Sequence, residues 1–357
     1  MEEKHISEGS HEADSLNQFT VEHYDQSHLD RLREIVGKGP VLILTHDNPD
    51  PDALASGKAF ATLLNEAWNV PSHLVYSGLV LRAENRALLR LLTPEWEHSD
   101  ILADLDHYSA VAMLDTQPGA GNNRLPDTYS PQIVIDHHQP LRQLVSEVPF
   151  VDVNPKIGAT VTLLAQYMEI AGVEPDENLA TAMFYGLKTD TRSLSRGTSN
   201  ADIRVYLALL ARINHQKLIQ VEQAGLSQEF FQAFSQGLQA AQIYEHSVVA
   251  ILGSLYRPDL SAEIADILIR LENTKAVLCL GVHNQTLYLS VRSVPMGEDA
   301  GALVQQIIIP PGKAGGHGTM AGGQLPLTDE RDPELENHIV DRFLAIMGET
   351  RPGIPLV

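Results

Sequence analysis

The strongest constraint on this chain is a rhythm: short, strand-like and largely apolar runs alternate with longer stretches of helical spacing. "VLILTH" (41–46), "SHLVYS" (72–77), "AVAMLD" (110–115) and "QIVID" (132–136) are the short runs. Each is too brief for a helix, and unbroken apolarity marks a strand covered on both faces. An amphipathic helix is expected over about 28–37, stopped by Gly37 and by Gly39-Pro40. "ALASGKAFATLLNEAW", "RAENRALLRLL", "GATVTLLAQYMEIAG", "ENLATAMFYGLKTD" and "ADIRVYLALLARI" read as further helices. Strands alternating with helices predict an α/β fold, a mostly parallel sheet with helices on both faces. In such sheets ligands sit beyond the carboxyl ends of the strands, so the residues that follow each apolar run matter most.

The 357 residues are long for one core and comfortable for two domains. Residues 1–22 read as a flexible acidic tail, with His5 and His11 given no specific role. A catalytic domain is expected over 23–213, a helical, Gln-rich linker over 214–240, and a smaller α/β domain over 241–357. Within that last part, "SVVAILGS" is strand-like, and "KAVLCLGVHNQTLYLSVRS" reads as a hairpin turning at His283-Asn284-Gln285. A glycine-rich loop (312–323) and a closing helix (333–347) complete it.

Composition narrows the partners. A formal net charge of −21 argues against clamping long duplex nucleic acid, whose affinity comes largely from basic patches. The single cysteine, Cys279, allows no internal disulfide and reads as a small buried hydrophobe. The start lacks the apolar segment of a signal peptide, and no apolar stretch is long enough to span a bilayer. A soluble protein in the reducing cytoplasm, with no membrane partner, is the expectation.

Four polar clusters close four separate elements. After the first strand, "THDNPDPDALAS" places His46, Asp50 and Asp52 in one short loop. Pro49 and Pro51 keep the residues before them extended, and Pro51 suits the first turn of a helix. One Asp would satisfy an N-cap; three Asp and a His exceed it. Asp47 is the odd one out, free to cap or to face solvent. Asp115 follows "AVAML", Asp136-His137-His138 follow "QIVI", and Asp190 ends an otherwise apolar helix. Taken singly, each is explained by a turn or a cap. Together they offer carboxylate and imidazole without thiolate, a donor set that suits Mn²⁺, Mg²⁺ or Zn²⁺. His46, Asp50, Asp52, Asp115, His137 and Asp190 suffice for two ions with one bridging carboxylate. Such ion pairs sit roughly 3.5–4 Å apart and serve phosphoryl chemistry.

In order and spacing, "HDNPDPDA", "MLDT", "IDHH" and "LKTDT" resemble the four motifs of the DHH phosphoesterase superfamily. "GGHGTMAGG" (315–323) resembles the glycine-rich motif of its associated C-terminal domain, so that the likeness runs over roughly residues 28–345. The layout looks like the bacterial nanoRNase and pAp-phosphatase branch. The same superfamily holds RecJ-type exonucleases, cyclic-dinucleotide phosphodiesterases, pyrophosphatases and exopolyphosphatases.

The resemblance implies one Mn²⁺ on His46, Asp50 and Asp115, and a second on Asp52, Asp115, His137 and Asp190, with Mg²⁺ or another divalent ion as alternatives. It implies that Asp136 orients a ligand imidazole and that His138 faces the substrate. It further implies that Arg292, Gly315, Gly316 and His317 contact substrate phosphate, with Lys313 adding charge. Arg192 and Arg196 flank Asp190 in "TRSLSRG", which departs from a more glycine-rich family stretch; Pro51 stands for a common glycine and Met320 for a small residue. None of these departures removes a ligand. The implied activity is hydrolysis of small phosphorylated nucleotides by a two-metal-activated hydroxide, in a cleft between the domains. The implied substrates are very short oligonucleotides, pAp, or linear or cyclic dinucleotides. A pyrophosphatase or exopolyphosphatase, or a non-catalytic nucleotide sensor, stays open, as does a homodimer.

Overall fold

The computed structural model describes residues 24–102 and 104–357; the tail over 1–22, with its His5 and His11, lies outside them. Contacts divide the chain between Ala224 and Gly225 into two units.

The first unit holds six strands: β1 (Val41–Leu44), β2 (Ser72–Tyr76), β3 (Glu97–His98), β4 (Ala110–Leu114), β5 (Ile133–Asp136) and β6 (Phe150–Val153). They form one sheet in the order β3-β2-β1-β4-β5-β6, parallel throughout. The chain runs outward from β1 to β3 and then returns to β4 on the other side of β1. The strand order therefore reverses between β1 and β4, and a crevice opens at the carboxyl ends of those two neighbours. His46 and Asp115 are the residues the sequence places there.

Helices flank the sheet. Val41, Ile43, Ala112, Leu114 and Ile135 pack against Leu54, Phe60, Leu64, Leu163 and Tyr167 from helices Pro51–Trp68 and Thr160–Ala171. The opposite face differs from the expectation of helices on both sides. Leu42, Leu44, Val111, Met113 and Val134 are covered by Leu105, Tyr108, Leu125, Leu141 and Val148. The cause is local: the connections from β3 to β6 contain only the 3-10 turns Leu105–His107 and Gln143–Glu147, and no α-helix.

Two close approaches set the site's frame. Helix Glu177–Asp190 crosses the start of helix Pro51–Trp68 at Gly186, where a Cβ would lie 3.0 Å from both Asp52 Cα and Pro51 O. Only glycine lets the two backbones come this near. Helix Thr160–Ala171 has no side-chain cap from its own Ala159. Its first amides donate instead to Asp52, Thr160 N to Oδ2 at 2.6 Å and Val161 N to Oδ1 at 2.9 Å.

The second unit is built on β7 (Ala241–Ile243), β8 (Ser247–Ser254), β9 (Ala276–His283), β10 (Thr286–Ser293), β11 (Lys313–His317), β12 (Met320–Pro326) and β13 (Ile354–Pro355). Their order is β11-β12-β10-β9-β8-β7-β13, with only the β8–β9 pair parallel. Helices Gln228–Ala240 and Leu260–Leu268 cover one face, with Cys279 buried beneath them. Helices Ala300–Ile307 and Pro333–Met347 cover the other. Asn284 and Gln285 turn β9 into β10 with φ of 46° and 55°, the left-handed pair that a two-residue hairpin loop demands.

The 214–240 stretch is two helices rather than one connection. Leu218 and Val221 of helix His215–Glu222 join the first core, while Phe230 and Ala233 of helix Gln228–Ala240 join the second. The glycine-rich stretch read as a loop is a β-hairpin, with Gly315 opposite Gly322 and His317 opposite Met320. Gly316 is required by space, since at φ +135° a Cβ there would fall 2.4 Å from Ala321 Cα, whereas Gly315 faces open space. No described helix is long and apolar enough to cross a membrane.

Candidate metal centre

The four polar clusters meet at the carboxyl ends of β1, β4 and β5. His46 donates Nδ1–H to the Asp47 carbonyl (2.9 Å), which leaves Nε2 directed at Asp115 Oδ2 (3.5 Å) and Asp50 Oδ1 (4.0 Å). Asp50 also caps its own helix, accepting from Ala53 N at 3.0 Å. Asp115 sits one residue past β4 with φ +61°, a backbone region that non-glycine residues rarely enter and that recurs at functional sites. Its Oδ1 accepts from Thr160 Oγ1 at 2.8 Å. His137 places Nδ1 3.2 Å from the Ile157 carbonyl and turns Nε2 inward. That nitrogen lies 3.0 Å from Asp190 Oδ2, 3.6 Å from Asp115 Oδ1 and 4.0 Å from Asp52 Oδ2. Arg196 donates to the Asp190 carbonyl at the end of its helix (2.7 Å from Nη2) and holds that residue in place.

Two atoms decide what this arrangement is for. Asp115 Oδ2 and His137 Nε2 are both buried, and neither makes a hydrogen bond of good geometry, although His137 Nε2 lies 3.0 Å from Asp190 Oδ2 and Asp115 Oδ2 lies 3.5 Å from His46 Nε2. A buried carboxylate oxygen and a buried imidazole nitrogen without a well-formed hydrogen bond are costly unless a cation engages them. His46, Asp50 and Asp115 form one group of converging donors, and Asp52, His137 and Asp190 form another, each with its atoms within 4.8 Å of one another. Asp115 touches both groups. The residues fit divalent cations: hard oxygens and imidazoles, closely set, with Asp115 able to bridge. A third grouping, of Asp115, His137 and His138, draws on His138 Nδ1, which is already 2.8 Å from Asp136 Oδ1.

Asp136 holds the ring of His138 rather than that of His137. Its Oδ1 accepts from the His137 amide (2.8 Å), the His138 amide (3.2 Å) and His138 Nδ1 (2.8 Å). The His137 ring is held by Ile157 instead, because it points away from the carboxylate into the cluster. His138 is the more exposed ring, 44% against 13% for His137. Asp47 proves structural: it accepts from Ser77 Oγ at 2.6 Å and pairs with Arg124.

Sequence reasoning missed Thr160, the Ile157 carbonyl and Gln117, whose Nε2 donates to Asp136 Oδ2 at 2.7 Å. A hydroxyl, a backbone carbonyl and a neutral amide carry no signal of their own in a sequence. The one clue was position, since Gln117 stands two residues past Asp115.

The fields are strong and opposed. Burial alone would depress the His46 imidazole; contact with Asp115 and the charge of Asp50 outweigh it and push it up to about 10. His137 is likewise raised well above its ordinary value, burial being overcome by Asp190, Asp115 and Asp52. Burial, then the charges of Asp115 and Asp190, lift the Asp52 carboxyl well above the carboxylate range. Burial would raise Asp136 too, but the hydrogen bond and charge of His138 hold it at about 2. Against burial, Asp115 and Asp136 raise His138, which favours its protonated form. So many protons and carboxylates around Asp115 Oδ2 and His137 Nε2 are the signature of a site that exchanges protons for metal.

In the second unit, Arg292 is buried near the end of β10. Its Nε is 2.5 Å from Asp266 Oδ1 and its Nη1 donates to the Val291 and Ala321 carbonyls at 3.0 and 3.4 Å. Gly315 and Gly316 lie in β11, the edge strand, with Lys313 at its start. The His317 side chain lies outside the described part.

Comparison with known proteins fits this geometry. Residues 40–187 match the model of the DHH family, N-terminal domain, and residues 245–349 that of the DHHA1 domain. The chain belongs to the DHH family. An uncharacterised protein of Methanocaldococcus jannaschii is 32% identical over 292 residues, 81% of this chain and 59% of that protein. A probable manganese-dependent inorganic pyrophosphatase of Streptococcus agalactiae is 27% identical over 180 residues, 49% of this chain and 56% of the enzyme. The bifunctional oligoribonuclease and PAP phosphatase NrnA of Thermus thermophilus is 28% identical over 178 residues, 48% of this chain and 50% of the enzyme. The chain thus spans about half to three-fifths of the length of these relatives. Among solved structures, an exopolyphosphatase-related protein from Bacteroides fragilis superposes with a TM-score of 0.72 at 16% identity. That superposition covers 92% of this chain and all of that one, a likeness of fold.

Proposed function

We propose that this DHH-family protein is a divalent-metal-dependent phosphoesterase acting on small phosphorylated nucleotides: very short oligonucleotides, pAp or dinucleotides. The observation that carries the proposal is the convergence of two carboxylate-and-imidazole groups, His46, Asp50 and Asp115 in one and Asp52, His137 and Asp190 in the other, with the buried Asp115 facing both. His46, Asp50 and Asp115 would hold one cation, and Asp52, Asp115, His137 and Asp190 the other. When bound, such ions act as Lewis acids on phosphoryl oxygens and ease the deprotonation of water. Mn²⁺ is favoured by the name of the pyrophosphatase relative.

The chain's own groups supply the rest. Thr160 fixes the Asp115 carboxylate through its hydroxyl, and the amides of Thr160 and Val161 fix that of Asp52. His138, protonated and anchored at Nδ1 by Asp136, offers Nε2–H to the leaving oxygen as general acid. Substrate-phosphate contact is assigned to Arg292, Gly315, Gly316 and His317. The charge of −21 favours a small substrate, since a long polyanion would be repelled outside the site.

A pyrophosphatase is the second reading, favoured by one relative's name; it would use the same cage on a base-free substrate. Purified protein with Mn²⁺ is to be given pAp, pApA, cyclic dinucleotides and pyrophosphate. Release of mononucleotide or of phosphate from the nucleotides supports the proposal. Turnover of pyrophosphate alone favours the second reading, and turnover of none, with nucleotide still bound by Asp115→Asn, points to a sensor.

A further inference from the structure

Gln117 is buried, and its amide is engaged at both ends. Nε2 donates to Asp136 Oδ2 (2.7 Å) and to the His138 carbonyl (3.0 Å), while Oε1 accepts from the Arg142 amide (2.8 Å). One side chain thus reaches from the residues after β4 to the turn after β5. It fixes that turn at three points: the carboxylate that holds His138 Nδ1, the His138 main chain and the main chain at Arg142. No candidate metal ligand takes a hydrogen bond from Gln117 itself, although the Asp136 carboxylate that it holds also accepts from the His137 amide. His137 is held by the Ile157 carbonyl, Asp115 by Thr160, and Asp52 by the amides of Thr160 and Val161.

We propose that Gln117 is a positioning residue for His138. By fixing the Asp136 carboxylate and the 138 main chain together, it keeps His138 Nδ1–H on Asp136 and Nε2 turned outward, without serving metal binding. A neutral amide suits this place for a physical reason. A carboxylate there would face Asp136, and an apolar side chain would leave Asp136 Oδ2 buried without its donor.

The inference rests on the reading of His138 as general acid, and the test separates the two. Gln117→Met keeps the length and burial but removes all three hydrogen bonds. Gln117→Glu keeps an acceptor for Arg142 and loses the donor. Both variants are expected to bind Mn²⁺ within about 3-fold of wild type by calorimetry. Their kcat is expected to fall roughly 10- to 100-fold, the cost typical of removing an outer hydrogen-bond partner, with KM changed by less than about 3-fold. A readout independent of turnover is the His138 Nδ1–H proton of the metal-free protein at one pH. Held by Asp136, it should appear downfield in the wild-type proton spectrum and be lost or broadened in Gln117→Met. A kcat within about 2-fold of wild type in both variants, or a loss of Mn²⁺ affinity parallel to kcat, would overturn the assignment. If wild type hydrolyses nothing, the general-acid reading fails while the proton spectrum still decides whether Gln117 positions the ring.

Discussion

Asp115 carries the heaviest demand in the centre: it faces both ligand groups, is buried, and holds a left-handed backbone at φ +61°. Such a conformation costs on the order of 1 kcal/mol for a residue other than glycine, and Asn tolerates it best after Asp. Asp115→Asn should therefore fold normally, yet lose Mn²⁺ affinity by more than the roughly 100-fold that an outer partner can cost; calorimetric titration checks both. Proton exchange gives a second outcome. His46 is raised to about 10, so at pH 7 a cation must displace its proton, and His137 is raised in the same direction by Asp190, Asp115 and Asp52. Mn²⁺ affinity should rise from pH 6 to pH 8.5, and the binding heat should vary with the buffer's ionisation enthalpy; a pH-independent affinity would contradict this. Asp136 supplies a third. Its folded value, about 2, lies below the ordinary 3.8, so it stabilises the metal-free fold above that value and ceases to as the pH falls through about 2. The loss is about 2 kcal/mol, and urea titrations of wild type and Asp136→Asn should converge over that window.

Elements position these residues through close backbone approach more than through side chains. Gly186→Ala would drive a Cβ against Asp52 Cα and Pro51 O, both backbone atoms that cannot swing aside. It should destabilise the protein by about 1–3 kcal/mol in denaturant unfolding and weaken Mn²⁺ binding together with it, since the displaced residue is itself a candidate ligand. Four of the six strands of the first sheet were legible as short, largely apolar runs, three of them followed by Asp or His, and the carboxyl-end rule pointed at residues that the structure brings together; β3 and β6 were not foreseen. Less was legible where the cause is not local. The hairpin of β11 and β12 looked like a loop because its glycines hide any alternation. The helix-free face of the first sheet, covered by loops and 3-10 turns, could not be foreseen either, because nothing in residues 99–149 announces that the connections lack α-helices. Asp136 was expected to orient a ligand imidazole; its carboxylate instead meets the His138 ring, while His137 Nδ1 faces the Ile157 carbonyl twenty residues away, a contact no local pattern announces.

At the scale of the whole molecule, the six candidate metal ligands fall between His46 and Asp190, within the first unit, and among the described residues no such donor group lies beyond Gly225. At 100-fold excess over its dissociation constant a cation should stabilise that unit by about 2.7 kcal/mol. Cleavage in the short stretch between helices His215–Glu222 and Gln228–Ala240 should leave an N-terminal fragment whose melting still responds to Mn²⁺. A response carried only by the C-terminal fragment would misplace the centre. The central claim is the division of labour between two adjacent imidazoles, one for metal and one for substrate. Its most direct test takes His137→Ala and His138→Ala, titrates each with Mn²⁺, and assays each on the nucleotide that wild type hydrolyses fastest. His137→Ala should lose metal and turnover together, while His138→Ala should bind Mn²⁺ nearly as wild type does and lose turnover alone. Full Mn²⁺ binding by His137→Ala, or wild-type turnover by His138→Ala, would contradict it.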